Sequence, residues 1–156
     1  MSGTDQELFN LAMSEESRPL MYAVQKHITE NVAPITEEFF ALNDEKEDRW
    51  TWHPRQTELL EGAKAKAKES GLWNFFLPDA ETGQGLNNLD YAYIAAELGK
   101  YSLASETLNC SAPDTGNMEV LERVGTPEQK DKWLTPLLNG EIRSAFAMTE
   151  PGVASS

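Results

Sequence analysis

Residues 144–156 read Ser144-Ala145-Phe146-Ala147-Met148-Thr149-Glu150-Pro151-Gly152-Val153-Ala154-Ser155-Ser156. A short apolar run breaks into a Thr-Glu-Pro-Gly turn and then into small hydroxyl residues. A turn of this kind belongs in the wall of a site. Taken alone, the same four residues also make an ordinary surface turn, and on them alone both readings stay open.

No other residues carry reaction chemistry by type and spacing. No Ser-His-Asp, Cys-His or paired-carboxylate arrangement stands out. His27 and His53 lie far apart, without metal-ligand spacing, and read as structural residues. Cys110 is the sole cysteine, which excludes an internal disulfide and argues against a cysteine metal site. Gly83-Gln84-Gly85-Leu86-Asn87-Asn88 begins like a dinucleotide loop, but Asn88 stands where the third glycine belongs. The better reading is a turn leading to an Asn helix cap.

The elements that position the 144–156 segment are helical by pattern. Pro19 suits the first turn of a helix. Leu20, Val24, Ile28 and Val32 recur every four residues, and Ile35 and Phe39 extend the stripe. This predicts one long amphipathic helix bent at Pro34. Residues 43–48 form a charged connection. A second helix is expected from Pro54 to Ser70, with Leu59, Leu60, Ala63 and Ala67 inward and Gly71 as its stop. Leu72-Trp73-Asn74-Phe75-Phe76-Leu77-Pro78 reads as a buried extended connection. A third helix runs from Leu89 to Leu98, with Ala92, Ala95, Ala96 and Leu98 as a small inner face and Gly99 as its end.

Ser102 to Ser111 also reads as helical. Pro113-Asp114-Thr115-Gly116 interrupts, with Asp114 or Thr115 as cap for a helix that ends at Gly125. Thr126-Pro127-Glu128-Gln129 is a capping box with proline at the first helical position. Trp133, Leu134, Leu137 and Leu138 supply the buried face, and Asn139-Gly140 the stop. After Gly140 the period changes. Ile142, Ser144, Phe146 and Met148 alternate with Arg143, Ala145 and Ala147, which predicts a strand. A lone strand cannot satisfy its own ladder, so a β domain is expected to follow. The helices should pack around Ile28, Leu60, Leu98, Leu121, Trp133 and Leu137, with 140–148 leaving them as an extended segment.

Composition narrows the partners. The 156 residues are 40% hydrophobic and 9% aromatic, a globular balance sufficient for one core and the start of another. Net charge is −13, from 13 basic and 26 acidic residues, which disfavours nucleic acid. No stretch is long and apolar enough to span a membrane. The first residues carry neither a secretory nor a transit pattern, so an intracellular soluble protein is expected. In a bacterium that is the cytoplasm, with the mitochondrial or peroxisomal matrix as the alternative.

Several ordered motifs resemble the acyl-CoA dehydrogenase family. They are Gly125-Thr126-Pro127-Glu128-Gln129-Lys130, Trp133-Leu134, Pro136-Leu137-Leu138, Gly140-Glu141-Ile142 and Phe146-Ala147-Met148-Thr149-Glu150-Pro151. Leu72 to Pro78, Gly83, Gly85 and Ala96-Glu97-Leu98-Gly99 fit the same order. Residues 109–118, Asn109-Cys110-Ser111-Ala112-Pro113-Asp114-Thr115-Gly116-Asn117-Met118, are similar to the branch of human acyl-CoA dehydrogenase family members ten and eleven. The resemblance covers nearly all of the chain after residue 17.

The resemblance implies a mainly α fold: an N-terminal helical bundle domain of acyl-CoA dehydrogenase type, ending in the first strand of a truncated middle β domain. Residues 1–16 would be a leader, 17–140 the helical domain and 141–156 the start of the middle domain. It implies FAD as cofactor and α,β-dehydrogenation of a fatty acyl-CoA to a 2,3-enoyl-CoA, as in fatty acid β-oxidation. Phe146, Met148 and Thr149 match flavin-lining positions. Ser155 matches a position at the cofactor pyrophosphate and the substrate thioester, and Ser156 follows it on the cofactor side. Ala154 stands where glycine is frequent.

Glu150 is then a turn residue, because the family's catalytic base comes from a C-terminal domain. A fragment without that domain is expected to be inactive. An electron-transfer flavoprotein or equivalent acceptor and a homodimer or tetramer complete the implied set. Two alternatives stand beside it: a helical interaction module without chemistry, and an acyl-CoA oxidase of the same fold.

Overall fold

Every regular element among the described residues is helical, and most begin and end for local reasons. The computed structural model describes residues 11–46, 48 and 50–152. The chain divides into two compact units, Met1–Leu108 and Asn109–Ser156.

In the first unit, α1 (Arg18–His27) runs into a π turn (Ile28–Val32), then α2 (Ala33–Ala41) and a 3₁₀ turn (Leu42–Glu45). The expected bend at Pro34 takes the form of that wide turn. Proline has no N–H and its ring crowds the carbonyl four residues back, so the regular ladder cannot pass. Ala33 instead donates its N–H five residues back, to Ile28 O. α3 (Pro54–Glu69) starts on a capping box in which His53 accepts from Arg55 N and Gln56 accepts from His53 N. Buried Gln56 also donates to Phe39 O at 2.7 Å, which fastens the start of α3 to the end of α2. Gly71, at φ 68°, ends α3 in the left-handed region and lets Leu72 N reach Ala67 O at 2.9 Å.

α4 (Asn88–Leu98) is capped by Asn87, whose side chain accepts from Asp90 N. Its inner face is Asp90, Ile94 and Leu98. The expected small face is therefore corrected, since Ala92 and Ala96 are exposed. Once Asn87 and the buried Asp90 set the helix phase, every fourth residue follows inward. Residues 72–78 are buried at Leu72, Phe75, Phe76 and Leu77, but they form a compact turn rather than an extended run. Asn74 takes φ 60° there, and its backbone N–H reaches Leu108 O. The helix expected over 102–111 shortens to α5 (Ala104–Thr107). Val24, Val32, Phe75, Leu77, Ile94 and Leu108 are fully buried, each worth about 1.5–3 kcal/mol relative to an exposed side chain.

In the second unit, α6 (Asp114–Val124) precedes α7 (Pro127–Gln129), a second π turn (Lys130–Leu134) and α8 (Thr135–Asn139). The Thr126–Gln129 capping box forms as expected. Pro136 repeats the device at Pro34: Thr135 donates five residues back, to Lys130 O. The extra residue turns the helix face by about 100°. This corrects the expected core, because Trp133 is 46% exposed while Leu134 and Leu137 are buried. Leu121 is half-buried, whereas Ile28, Leu60 and Leu98 are buried as expected. Gly140, at φ 73°, closes α8, with Glu141 N bonded to Pro136 O.

The segment expected as a strand over 142–148 leaves α8 without continuing the helix, as expected, but the strand itself is not shown. No strand occurs among the described residues. The segment is non-helical and its alternation survives only to residue 145, with Ile142 and Ser144 half-buried and Arg143 and Ala145 exposed. Beyond that both faces are exposed, because no neighbouring strand supplies a ladder.

His27 is buried at the junction of α1 and the π turn. Thr107 Oγ1 already donates to Ala104 O, so at 3.1 Å from His27 Nε2 it accepts that nitrogen's proton. Nδ1 is left to accept from Asn31 Nδ2 at 3.4 Å. The ring is therefore held neutral, and burial lowers its pKa from the usual 6.5. The unfolded chain takes up this proton first as pH falls. His27 thus contributes full stability above pH 6.5, lost as pH descends through the lower folded-state value. Urea midpoints between pH 7.5 and pH 5, chosen to bracket the usual histidine range of about 6.5, should fall with pH. His27→Gln should flatten that slope, and an unchanged slope would remove His27 as its cause.

Candidate functional site

Of the residues singled out by the sequence, Phe146, Met148 and Thr149 are described and lie on one exposed segment. Phe146 is 62% and Met148 72% exposed. Thr149 and Glu150 are exposed as well, and Pro151-Gly152 make the turn. Ser155 and Ser156 lie outside the described residues. Phe146, Met148 and Thr149 are thus exposed near neighbours along the chain. Among the described residues of their own unit, no base or second wall covers them.

What holds this segment is Asp114, which the local sequence marks as a candidate helix cap. Pro113 occupies the N-cap position of α6 without a side-chain cap bond, which corrects the expected role of Asp114 or Thr115. Asp114 is 2% exposed. One oxygen accepts from Ser144 N at 2.8 Å and Ser144 Oγ at 2.6 Å. The other accepts from Arg143 Nε at 2.6 Å. A charged acceptor shared by three donors gives strong, directional bonds. Asn117, one turn along, donates to Ser144 Oγ at 2.8 Å. An acid beside Pro113 at a helix start is an ordinary cap signal, so nothing local marked its true partners.

A groove of about 430 Å³ runs beside this anchor. Val120, Leu121, Trp133, Leu137 and Ile142 line it with apolar surface, and Asn117, Arg143 and Ser144 form its polar end. Val120 is 59% exposed, and Lys132 Nζ lies 4.6 Å over the Trp133 ring.

The first unit has an analogous carboxylate. Buried Asp90 accepts from Ser14 N at 2.8 Å, Ser14 Oγ at 2.7 Å, Ser17 Oγ at 2.9 Å and Asn87 Nδ2 at 2.9 Å. The backbone N–H of Ser14, then its hydroxyl, hold the Asp90 carboxyl below the usual carboxylate range. Its partners account for it as a structural tie. Among the described residues no group of three or more His, Cys, Asp or Glu is placed to hold a metal ion. No described helix is long and apolar enough to cross a membrane.

Comparison with known proteins agrees with the helical architecture. Residues 14–141 match the family model described as "Acyl-CoA dehydrogenase, N-terminal domain". The chain is 48% identical over 149 residues to acyl-CoA dehydrogenase family member 10 of Mus musculus, covering 92% of this chain and 14% of that protein. It is 46% identical over 156 residues to family member 11 of Gallus gallus, covering 98% of this chain and 19% of the relative. A solved structure, that of "a putative acyl-CoA dehydrogenase from Mycobacterium abscessus", superposes with a TM-score of 0.81 at 45% identity, over 92% of this chain and 36% of that one. The chain belongs to the acyl-CoA dehydrogenase family, and its fold is that family's N-terminal helical domain. It spans under a fifth of the length of these two curated relatives.

One exposed edge can cover at most one side of a planar ligand. The purified 156-residue chain, mixed with FAD and passed through gel filtration, should therefore retain no stoichiometric flavin band near roughly 450 nm. A retained band would mean that a second wall exists within this chain.

Proposed function

We propose that this chain is the N-terminal part of an FAD-dependent acyl-CoA dehydrogenase that converts a fatty acyl-CoA to a 2,3-enoyl-CoA. The single observation that carries the reading is the exposed Phe146, Met148 and Thr149 edge of a family member, held at Ser144 by Asp114. A flavin ring has two apolar faces and a hydrogen-bonding edge. Two large uncovered apolar side chains followed by a hydroxyl fit both requirements.

FAD, when bound, supplies the acceptor for the hydride that leaves the acyl β-carbon. The residues of this chain then have separate tasks. Phe146 and Met148 cover the ring and exclude water. Thr149 offers its hydroxyl and its backbone N–H to the edge where negative charge collects, which lowers the energy of that charge. Ser155, with Ser156, serves the cofactor pyrophosphate, and Ser155 also the substrate thioester region. Glu150 is a turn residue and not the base. Residues 141–156 open the middle domain in this reading, and an electron-transfer flavoprotein or equivalent reoxidises the cofactor. The whole protein acts as a dimer or tetramer.

Thr149→Val in the full-length protein keeps the branched shape and removes the hydroxyl. It should cost about 1–3 kcal/mol, as expected for one charge-assisted donor. The loss should appear as slower flavin reduction by acyl-CoA or weaker FAD binding, without unfolding. Glu150→Gln should leave proton abstraction intact. Stopped-flow reduction of both variants decides the roles: normal rate and affinity for the first, or abolished reduction in a folded second, would overturn them.

A further inference from the structure

Residues 143–144 share four hydrogen bonds with side chains of the first turn of α6. Three end on Asp114, from Arg143 Nε, Ser144 N and Ser144 Oγ, and the fourth comes from Asn117. Gly116 stands between these anchors. A Cβ placed on it would lie 3.7 Å from Phe146 Cζ, so the Phe146 ring rests against the same turn.

If Asp114 served only its helix, its oxygens would turn to the unpaired amides at the start of α6. Instead both are taken by residues 143–144, and α6 has no side-chain cap bond. Residues 145–150 are exposed. Along extended backbone, each residue advances about 3.3 Å. The anchor at Ser144 and the contact of the Phe146 ring with the turn at Gly116 together fix where the chain leads toward Thr149.

We propose that Asp114, seconded by Asn117, is a positioning residue for residues 146–149: it sets where Phe146 and Thr149 meet the flavin, and through them the rate of flavin reduction. The proposal rests on the reading of Thr149 given above. Neither Asp114 nor Asn117 touches the cofactor or the substrate in this role. Their effect is the placement of the segment that does.

The test is a double-mutant cycle in the full-length, FAD-loaded protein, read as the rate of flavin reduction by acyl-CoA. Asp114→Asn keeps the side-chain shape and removes one acceptor. It should slow reduction by about tenfold to a hundredfold, as misplacement by about an ångström does, with FAD content retained. Combined with Thr149→Val, the slowing should be clearly less than the product of the single effects, because both act on one contact. Ser144→Ala should slow reduction less and in the same sense. It replaces Asp114→Asn in the cycle if that variant does not fold. A normal rate in folded Asp114→Asn, or effects that multiply as for independent sites, would overturn the positioning role and leave the Thr149 assignment standing. Normal reduction and FAD affinity in Thr149→Val would overturn both.

Discussion

A buried carboxylate that collects donors from a distant stretch of chain is the constraint on which both units depend. Asp90 does this in the first unit and Asp114 in the second. Each draws backbone and hydroxyl donors from a segment with no regular structure: residues 14–17 for Asp90 and 143–144 for Asp114. A buried charge is costly unless its oxygens are filled, so the pairing is obligatory once the acid is inside. Each non-helical segment is thereby tied to the first turn of a helix. Helix–helix packing alone would leave those segments unplaced.

Proline sets a second constraint. The chain has a π turn immediately before Ala33-Pro34 and another before Thr135-Pro136. In both the missing proline N–H is accommodated by widening one turn, so the helix continues. The consequence differs from that of a break. The helix proceeds, but its faces are rephased, which places Leu134 inward and leaves Trp133 on the groove.

These constraints explain the character of the candidate site. Tight anchoring ends at Ser144, and the apolar and hydroxyl side chains assigned to the flavin begin two residues later, uncovered. Exposed large apolar groups next to a fixed anchor are what a cofactor-covering segment requires. They gain their stabilisation when a ligand or another layer removes them from water. Such a segment costs little fold stability in its own unit, since its side chains contribute little to that core. In the proposed function, the task at the flavin and the stability of the unit are carried by different residues: Thr149 on the exposed edge, and Met118, Leu134 and Leu137 inside.

Local signals determined much of this protein from sequence. The Thr126–Gln129 box, the Asn87 cap, the left-handed Gly71 and Gly140 and the Leu59, Leu60, Ala63, Ala67 face form as the residues predict. Each depends on atoms within about one helical turn, so the sequence contains its whole cause. The family resemblance was legible for a similar reason, because it lies in short ordered motifs. Tertiary structure decided the rest. Whether Asp114 caps its own helix or reaches Ser144 30 residues on depends on where the chain returns. The outward turn of Trp133 depends on a single wide turn, and the absence of a ladder at 142–148 on which strands lie beside it. Period-2 alternation records which faces differ, but hydrogen bonds are made with neighbours that the segment's own residues do not name.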